Sequence, residues 1–384
     1  MEKKSKKVAI MTLYYCNKNY GGLLQAYALT KTVNKMGYIC EQLCWQYVDS
    51  LKPPIKRSFI TKIRKRILKE IIIFLNKIYS SRISLRNNQY EQFQQSIPHS
   101  EIKYTRENIE KANEEYDGFI AGSDQIWNMS WYNPEYFLNF VSDDKYKFSY
   151  AASMPDIDIS EADKNKVIKH LENFDDISAR ESNTADFLTK ILDRNVLTVL
   201  DPTLLLSEEE WSQLASERLI EGKYIFCYFL GKNKDDRKIV KKFARKTGLK
   251  IASFPHLNGF NLVDVGFAKY NFYVGPKEFL SLIKNAEYVF TDSFHAAVFS
   301  NIFKVKHFVF SRKGQNMDSR VKTLLSMFEQ QHRFCDTHDK YNLNYILSQK
   351  DKAASGESKA FNDIKKKSMD FLYKNLKEIS KNEK

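Results

Sequence analysis

The chain has 384 residues, 43% of them hydrophobic, enough to fill the cores of two domains of ordinary size. Its formal net charge of +14 is uneven: across residues 52–86 eleven lysines and arginines face a single acid, Glu70, and the remaining body is close to balanced. That distribution, without a recognisable nucleic-acid motif, argues against a nucleic-acid binder. Five cysteines (Cys16, Cys40, Cys44, Cys227 and Cys335) form no CxxC pair, and Cys40 and Cys44 on one strand would stand about 13 Å apart, too far to bridge. This usage suits a reducing cytoplasm. The scattered histidines suggest no zinc site, and neither a signal region nor a membrane-length apolar run is visible. The expectation is a cytoplasmic globular enzyme with no metal and no cofactor.

Residues 8–15 read as a first strand, and Asn19-Tyr20-Gly21-Gly22 as a turn entering a helix with Leu24, Tyr27 and Ala28 on one face. With a second strand at 39–45 they make a βαβ unit, the opening of a doubly wound parallel sheet whose ligands bind beyond the carboxyl ends of the strands. Gly21 and Gly22 would let backbone approach a ligand, a tight turn alone being the competing account. After Pro53-Pro54, residues 58–80 predict a helix with lysines and arginines on one side and Ile63, Ile67, Ile71, Phe74, Leu75 and Ile78 on the other. It is either a solvated helix of its own domain or a surface that lies on anionic membrane.

Strand and helix then alternate. A strand at 116–122 ends in Ser123-Asp124-Gln125-Ile126-Trp127-Asn128, polar groups with one indole, suited to sugar hydroxyls and a sugar face; capping by Ser123 or Asp124 competes. Further elements are a strand at 147–153, a helix at 161–171, a strand at 176–181 presenting Arg180, a helix at 182–192, and a strand at 196–200 stopped by Asp201-Pro202-Thr203. A connector, 207–222, leads to a second alternating series at 223–350, with strands at 223–231, 250–253 and 307–311 and helices at 235–247 and 275–285. Residues 287–303 predict a buried strand running through Asp292 and Ser293 into a helix. The first-turn N–H groups at Ser293, Phe294 and His295 favour an anion. His295 either touches that anion or packs inward with Val298, Phe299 and Ile302. Lys313, Asn316, Ser319 and Arg320 follow in a polar loop, and residues 355–384 close the chain as an amphipathic helix. The fold class expected is α/β, with two Rossmann-like domains, 1–206 carrying the basic insertion 52–95 and 223–350, facing a cleft.

Assembled, the stretches Asn19-Tyr-Gly-Gly-Leu-Leu-Gln-Ala-Tyr, Phe119-Ile-Ala-Gly-Ser-Asp-Gln-Ile-Trp-Asn, Tyr150-Ala-Ala-Ser, Ile177-Ser-Ala-Arg-Glu, Leu200-Asp-Pro-Thr-Leu and Thr291-Asp-Ser-Phe-His resemble the polysaccharide pyruvyl transferase family in order and in kind. The resemblance implies a fold similar to the GT-B glycosyltransferases and transfer of pyruvyl from phosphoenolpyruvate onto a sugar as a ketal. It links Arg180 and His295 to phosphoenolpyruvate; where some members carry an arginine two residues before the histidine, this chain has Ser293, leaving Arg320 or Lys313 as substitutes. The donor set expected is therefore Arg180 with Ser293, His295, Lys313 and Arg320, the last four on the second-domain side. The acceptor set is Asn19, Tyr20, Gly21, Gly22, Ser123, Asp124, Gln125, Trp127 and Asn128, on the first. Ketal formation needs an acid for the methylene carbon and a base for the sugar hydroxyls: His295 is the candidate acid, Asp124 or Asp292 the base. The partners expected are phosphoenolpyruvate and a sugar or lipid-linked acceptor, with peripheral membrane contact through 52–86. A nucleotide-sugar glycosyltransferase or a non-catalytic envelope scaffold would share much of this pattern.

Overall fold

The computed structural model describes residues 5–46, 78–255, 262–312, 318–336, 343–352 and 358–381. Lys313, Asn316 and residues 52–77 of the basic insertion lie outside them. Strands β1 (Lys7–Met11), β2 (Ile39–Trp45), β3 (His99–Tyr104), β4 (Gly118–Ala121) and β5 (Tyr146–Ser149) form one parallel sheet in the order β3-β2-β1-β4-β5. Two short parallel strands, β6 (Ser178–Ala179) and β7 (Leu197–Thr198), prolong it past β5 through single bridges from Phe148 to Asp176 and from Ala152 to Ala179. The second sheet takes β8 (Tyr224–Tyr228), β9 (Lys250–Ser253), β10 (Tyr270–Asn271), β11 (Tyr288–Thr291), β12 (Lys306–Phe310) and β13 (Phe334–Cys335) in the order β10-β9-β8-β11-β12-β13, all parallel. Central strands such as β8, Tyr-Ile-Phe-Cys-Tyr, are buried at every position, as expected where helices cover both faces of a sheet.

Local chemistry sets the helix limits. Asn19 starts the helix Tyr20–Lys35 by accepting from the N–H groups of Gly21 and Gly22, and Ser160 and Asn233 cap Glu161–Leu171 and Lys234–Thr247. The stretch read as a connector holds a helix of its own, Glu208–Leu214, begun by a reciprocal capping box between Ser207 and Glu210. Its Trp211 is fully buried, donates to the Thr203 carbonyl and meets Phe299 edge-on at 4.9 Å. Strand β1 stops at Met11, short of the predicted end, because residues 12–17 turn: Tyr14 and Asn17 donate back to Thr12 and Tyr14, and Cys16 has φ +57°.

The two sheets are joined by apolar packing. Tyr20 stacks on Phe279 at 4.7 Å, lies 4.8 Å from Tyr90 and 5.2 Å from Phe254, and donates its hydroxyl to the Val274 carbonyl. The helix Phe294–Ile302 is buried from Phe294 to Asn301 and sends Ala297 and Val298 into a core shared with Val8 and Phe148 of the first sheet and Leu29 of the helix Tyr20–Lys35. Finally, the helix Lys359–Lys381 returns from the second sheet to the first, where Phe371 meets Phe148 and Ile379 covers Gly118.

Candidate functional site

Three carboxyl ends converge where the sheets meet. Arg180 and Glu181 follow β6 directly, Asp201 comes three residues after β7, and Phe294 and His295 open the helix after β11. Arg180 Nε donates to Glu181 Oε1 at 3.1 Å and its Nη1 to Asp201 Oδ2 at 2.8 Å, while the guanidinium lies 4.6 Å over the Phe294 ring. Its Nη2 is buried with no partner among the described residues. Glu181 Oε1 also accepts from the Ser153 hydroxyl, and Asp201 Oδ1 from the hydroxyl and N–H of Thr203. Arg320 enters from the helix Asp318–Met327, with Nε 4.0 Å from Glu181 Oε1 and its guanidinium 5.9 Å from the same Phe294 ring. His295 Nε2 stands 3.5 Å from Asp201 Oδ2, an ion-pair distance without hydrogen-bond geometry. Residues 115 positions apart thus face one carboxylate oxygen.

Each charge in this cluster is set by its neighbours. Burial alone would raise the Asp201 pKa, but the facing His295 and Arg180 and the Thr203 hydroxyl outweigh it and hold the carboxyl below the usual range. Burial works against the Arg180 charge, and Glu181, Asp201 and Asp124 more than restore it. Arg320 is pushed down to about 10, first by burial and then by Arg180, against the pull of Glu181 and Asp124. Arg180 and Arg320, with Glu181, Asp201, Phe294 and Leu324, line a narrow pocket with room for about one water molecule. The helix Phe294–Ile302 begins at this junction; its first-turn N–H groups have no intrahelical acceptors, the Ser293 side chain makes no capping bond, and the Ser293 N–H, expected to favour an anion, is taken by the Thr291 hydroxyl.

Asp201→Asn is expected to destabilise the fold by about 3 kcal/mol or more, because it leaves the buried Arg180 charge with half its compensation. The sign follows from the lowered pKa. An ionised Asp201 contributes stability above the ordinary carboxylate pKa of about 4, and loses it as pH falls below that value toward the depressed folded one. Thermal unfolding between pH 7 and pH 3 should therefore show a smaller acid-side loss in the variant than in the parent; parallel curves would remove Asp201 from the account.

Several sequence expectations need correction. Trp127 is fully buried, stacked on Phe137 at 5.7 Å with its indole donating to the Tyr136 carbonyl, so no face of it is open to a sugar. Tyr20 is the latch between the sheets described above and is equally closed to an acceptor. The N–H groups of Gly21 and Gly22 are taken by Asn19, and what approaches the glycines is protein. A Cβ on Gly21 would lie 2.0 Å from His295 Nδ1, and one on Gly22 would lie 2.6 Å from Asn17 Nδ2. Asp292 neither caps the helix nor stands free as a base: its carboxylate accepts from the N–H groups of Leu230 and Gly231, fixing the loop after β8, with Arg312 Nε 3.6 Å away. Ser123 is fully buried beneath Thr12, and Asn128 caps the turn at Ser130. Gln125 remains half-buried and accepts from Asn128.

Asp124 stays at the junction. With φ +75°, its backbone carbonyl accepts from Ile126 and Ser153, and its carboxylate reaches within 3.4 Å of the Gly22 Cβ position while acting electrostatically on Arg180 and Arg320. His295 is buried, yet its ring sits between Gly21 and Asp201 instead of on the apolar side of its helix. The residues missed were Glu181 and above all Asp201, together with the ring of Phe294, of which only the N–H was considered. All three stand inside the stretches quoted for the family resemblance.

Two parallel, helix-covered sheets joined along the carboxyl ends of their strands define a GT-B-like architecture, and solved structures of that kind share it. UDP-GlcNAc 2-epimerase from Methanocaldococcus jannaschii aligns over 97% of this chain and 99% of its own with a TM-score of 0.57 at 13% identity. The corresponding enzyme of Rickettsia bellii gives 0.50 at 10% identity, covering 98% of both chains. Arabidopsis thaliana UGT89C1 complexed with UDP-L-rhamnose gives 0.50 at 10%, covering 99% of both. At such identities the likeness concerns the fold alone. None of the curated proteins matches the chain. The polysaccharide pyruvyl transferase family model matches residues 19–314, most of the chain, and the protein belongs to that family.

Proposed function

We propose that the protein transfers a pyruvyl group from phosphoenolpyruvate to two hydroxyls of one sugar in a cell-surface polysaccharide or its lipid-linked precursor, releasing phosphate. The observation that supports this reading is the junction itself: two buried arginines beside one narrow pocket, with a helix N-terminus and His295 next to the Asp201 carboxylate that Arg180 holds, a set suited to a small compound with two anionic groups. The Arg180 Nη2 without a protein partner is the group best placed for the donor, since Nε and Nη1 are held by Glu181 and Asp201. In the reaction, carbon 3 of the enolpyruvyl gains a proton and carbon 2 forms bonds to both sugar oxygens as its bond to the phosphate oxygen breaks. Of the two hydroxyl protons released, one balances the new methyl group and the other leaves with phosphate. His295 is the acid in this reading and Asp124 the base.

The test is phosphate release from phosphoenolpyruvate, with and without a chelator, together with a pyruvate-sized mass gain on candidate lipid-linked glycans. No metal or cofactor is required in this reading, so chelator should change nothing. Tight binding of a nucleoside diphosphate, with no phosphate release from phosphoenolpyruvate, would favour a glycosyltransferase instead.

Such a precursor would be met at the cytoplasmic face of a membrane. Among the described residues no helix is long and apolar enough to cross one. The proposed contact is peripheral, through residues 52–86 on anionic lipid, each Lys or Arg contributing about 1 kcal/mol. Replacing Lys62, Arg64, Lys65 and Arg66 by glutamine should weaken liposome flotation, as should added salt; unchanged flotation would reject the contact.

A further inference from the structure

With Trp127, Tyr20 and Ser123 buried, the face that carries them is closed to an acceptor sugar, and another surface is open. A cleft of about 540 Å³, open to solvent, lies between the turn after β1, the end of the helix Ser80–Gln95 and the beginning of β3. Its walls are tied together: the Tyr14 hydroxyl donates to the Gln94 carbonyl at 2.7 Å, and Gln94 Nε2 donates to the Tyr14 carbonyl at 3.1 Å. The cleft is therefore preformed, as small-molecule sites usually are.

Its chemistry contrasts with that of the arginine cluster. Lys18 and Lys103 are matched by Glu91 and Glu101, so the lining carries no net charge, and none of the four side chains has a hydrogen-bond or ion-pair partner among the described residues. Between them stand the half-buried Tyr15 and Asn17. Neutral overall, rich in both donors and acceptors, and edged by an aromatic ring, this lining fits the hydroxyls of an uncharged saccharide better than an anion. The cleft adjoins the junction at Asn17, whose amide donates to the Leu13 carbonyl and accepts from the Asn19 N–H. The Asn17 amide belongs to its wall and lies 2.6 Å from the Gly22 Cβ position, where Asp124 Oδ2 approaches to 3.4 Å; His295 covers Gly21 beside it.

We propose that this cleft binds a neutral saccharide, the sugar chain of the acceptor, with its reacting end directed past Asn17 toward Asp124 and His295. The identity of that saccharide as acceptor rests on the pyruvyl-transfer reading above.

Cys16 gives a direct probe, because it lines the cleft and is exposed, whereas the other four cysteines are buried. Cys44, at the cleft floor, has its thiol pKa raised chiefly by burial, which suppresses its reaction. The rate of Cys16 alkylation by N-ethylmaleimide, followed by mass spectrometry, would be measured with lactose, cellobiose and maltose and with the matching uronic-acid disaccharides. At least one neutral disaccharide should slow labelling several-fold in a saturable way, while phosphoenolpyruvate alone should not. Attachment of a fluorescein maleimide at Cys16 should lower acceptor-dependent phosphate release at least tenfold and leave the melting-temperature shift caused by phosphoenolpyruvate unchanged. No protection by any neutral disaccharide, or stronger protection by the uronic acids, would overturn the proposal. Failure of the pyruvyl-transfer reading looks different: phosphoenolpyruvate would then neither shift the melting temperature nor release phosphate, while a neutral sugar would still protect Cys16.

Discussion

His295→Ala is expected to lower turnover about a hundredfold or more while changing the Michaelis constant for phosphoenolpyruvate far less. A proton donor acts chiefly in the transition state, so its loss falls on the chemical step and not on ground-state binding. The structure sharpens this expectation by showing how the ring is held. Nδ1 lies over the Gly21 backbone and Nε2 faces Asp201, an anion kept ionised by its neighbours. A histidine retained only for packing would be surrounded by apolar groups; this one is placed between a glycine and a carboxylate at the start of a helix. Steady-state kinetics with separate turnover and Michaelis constants is the measurement. Intact turnover combined with a lower melting temperature would return His295 to a packing role.

Gly21→Ala should be nearly as damaging, although alanine is the better helix former by about 1 kcal/mol. The added Cβ would stand 2.0 Å from Nδ1, 2.3 Å from Cγ and 2.6 Å from Cε1 of His295. Those are atoms of a rigid ring confined on its far side by Asp201, so the ring must turn or the sheets must separate. Displacing a reacting group by about 1 Å can cost about a hundredfold in rate, and that is the loss expected here. The double variant Gly21→Ala/His295→Ala supplies the control: it should be no slower than His295→Ala alone and should recover any stability lost by Gly21→Ala. If Gly21→Ala is fully active and merely more stable, the contact between Gly21 and His295 does not exist in solution.

The sequence made some of this architecture legible to the residue. The helices Glu161–Leu171 and Ser182–Leu192 carry their apolar periodicity between clear boundaries, and the alternation of strand and helix implies two parallel sheets with ligands at their carboxyl ends. Strand β3, His-Ser-Glu-Ile-Lys-Tyr, went unread because an edge strand with an exposed middle lacks the apolar run of a buried one. The helix Glu208–Leu214 was passed over despite its Ser-x-x-Glu signature, since seven residues are too few for periodicity to register. At the site, the carboxyl-end rule put Arg180 and His295 together. It could not show that Asp201 would stand between them, because Pro202 had already explained that stretch as a strand stop. Trp127 failed for a related reason: a residue's type at the end of a strand does not tell which side of the following turn its ring will face.

The return of the helix Lys359–Lys381 to the first sheet has a consequence for the order in which the protein can be made. Asn375 accepts from Tyr146, Ser368 accepts from the Leu200 N–H, and Ser380 meets the hydroxyl of Tyr38, so this helix covers a face of the sheet assembled first. On the ribosome, the face that Phe148 and Gly118 present to this helix must wait while the whole second sheet is translated, because the segment that covers it follows that sheet in the chain. The first domain therefore cannot complete its core as an independent early unit. A nascent chain halted before residue 359 would present that apolar face to chaperones, and emergence of the helix Lys359–Lys381 would be the event that closes it.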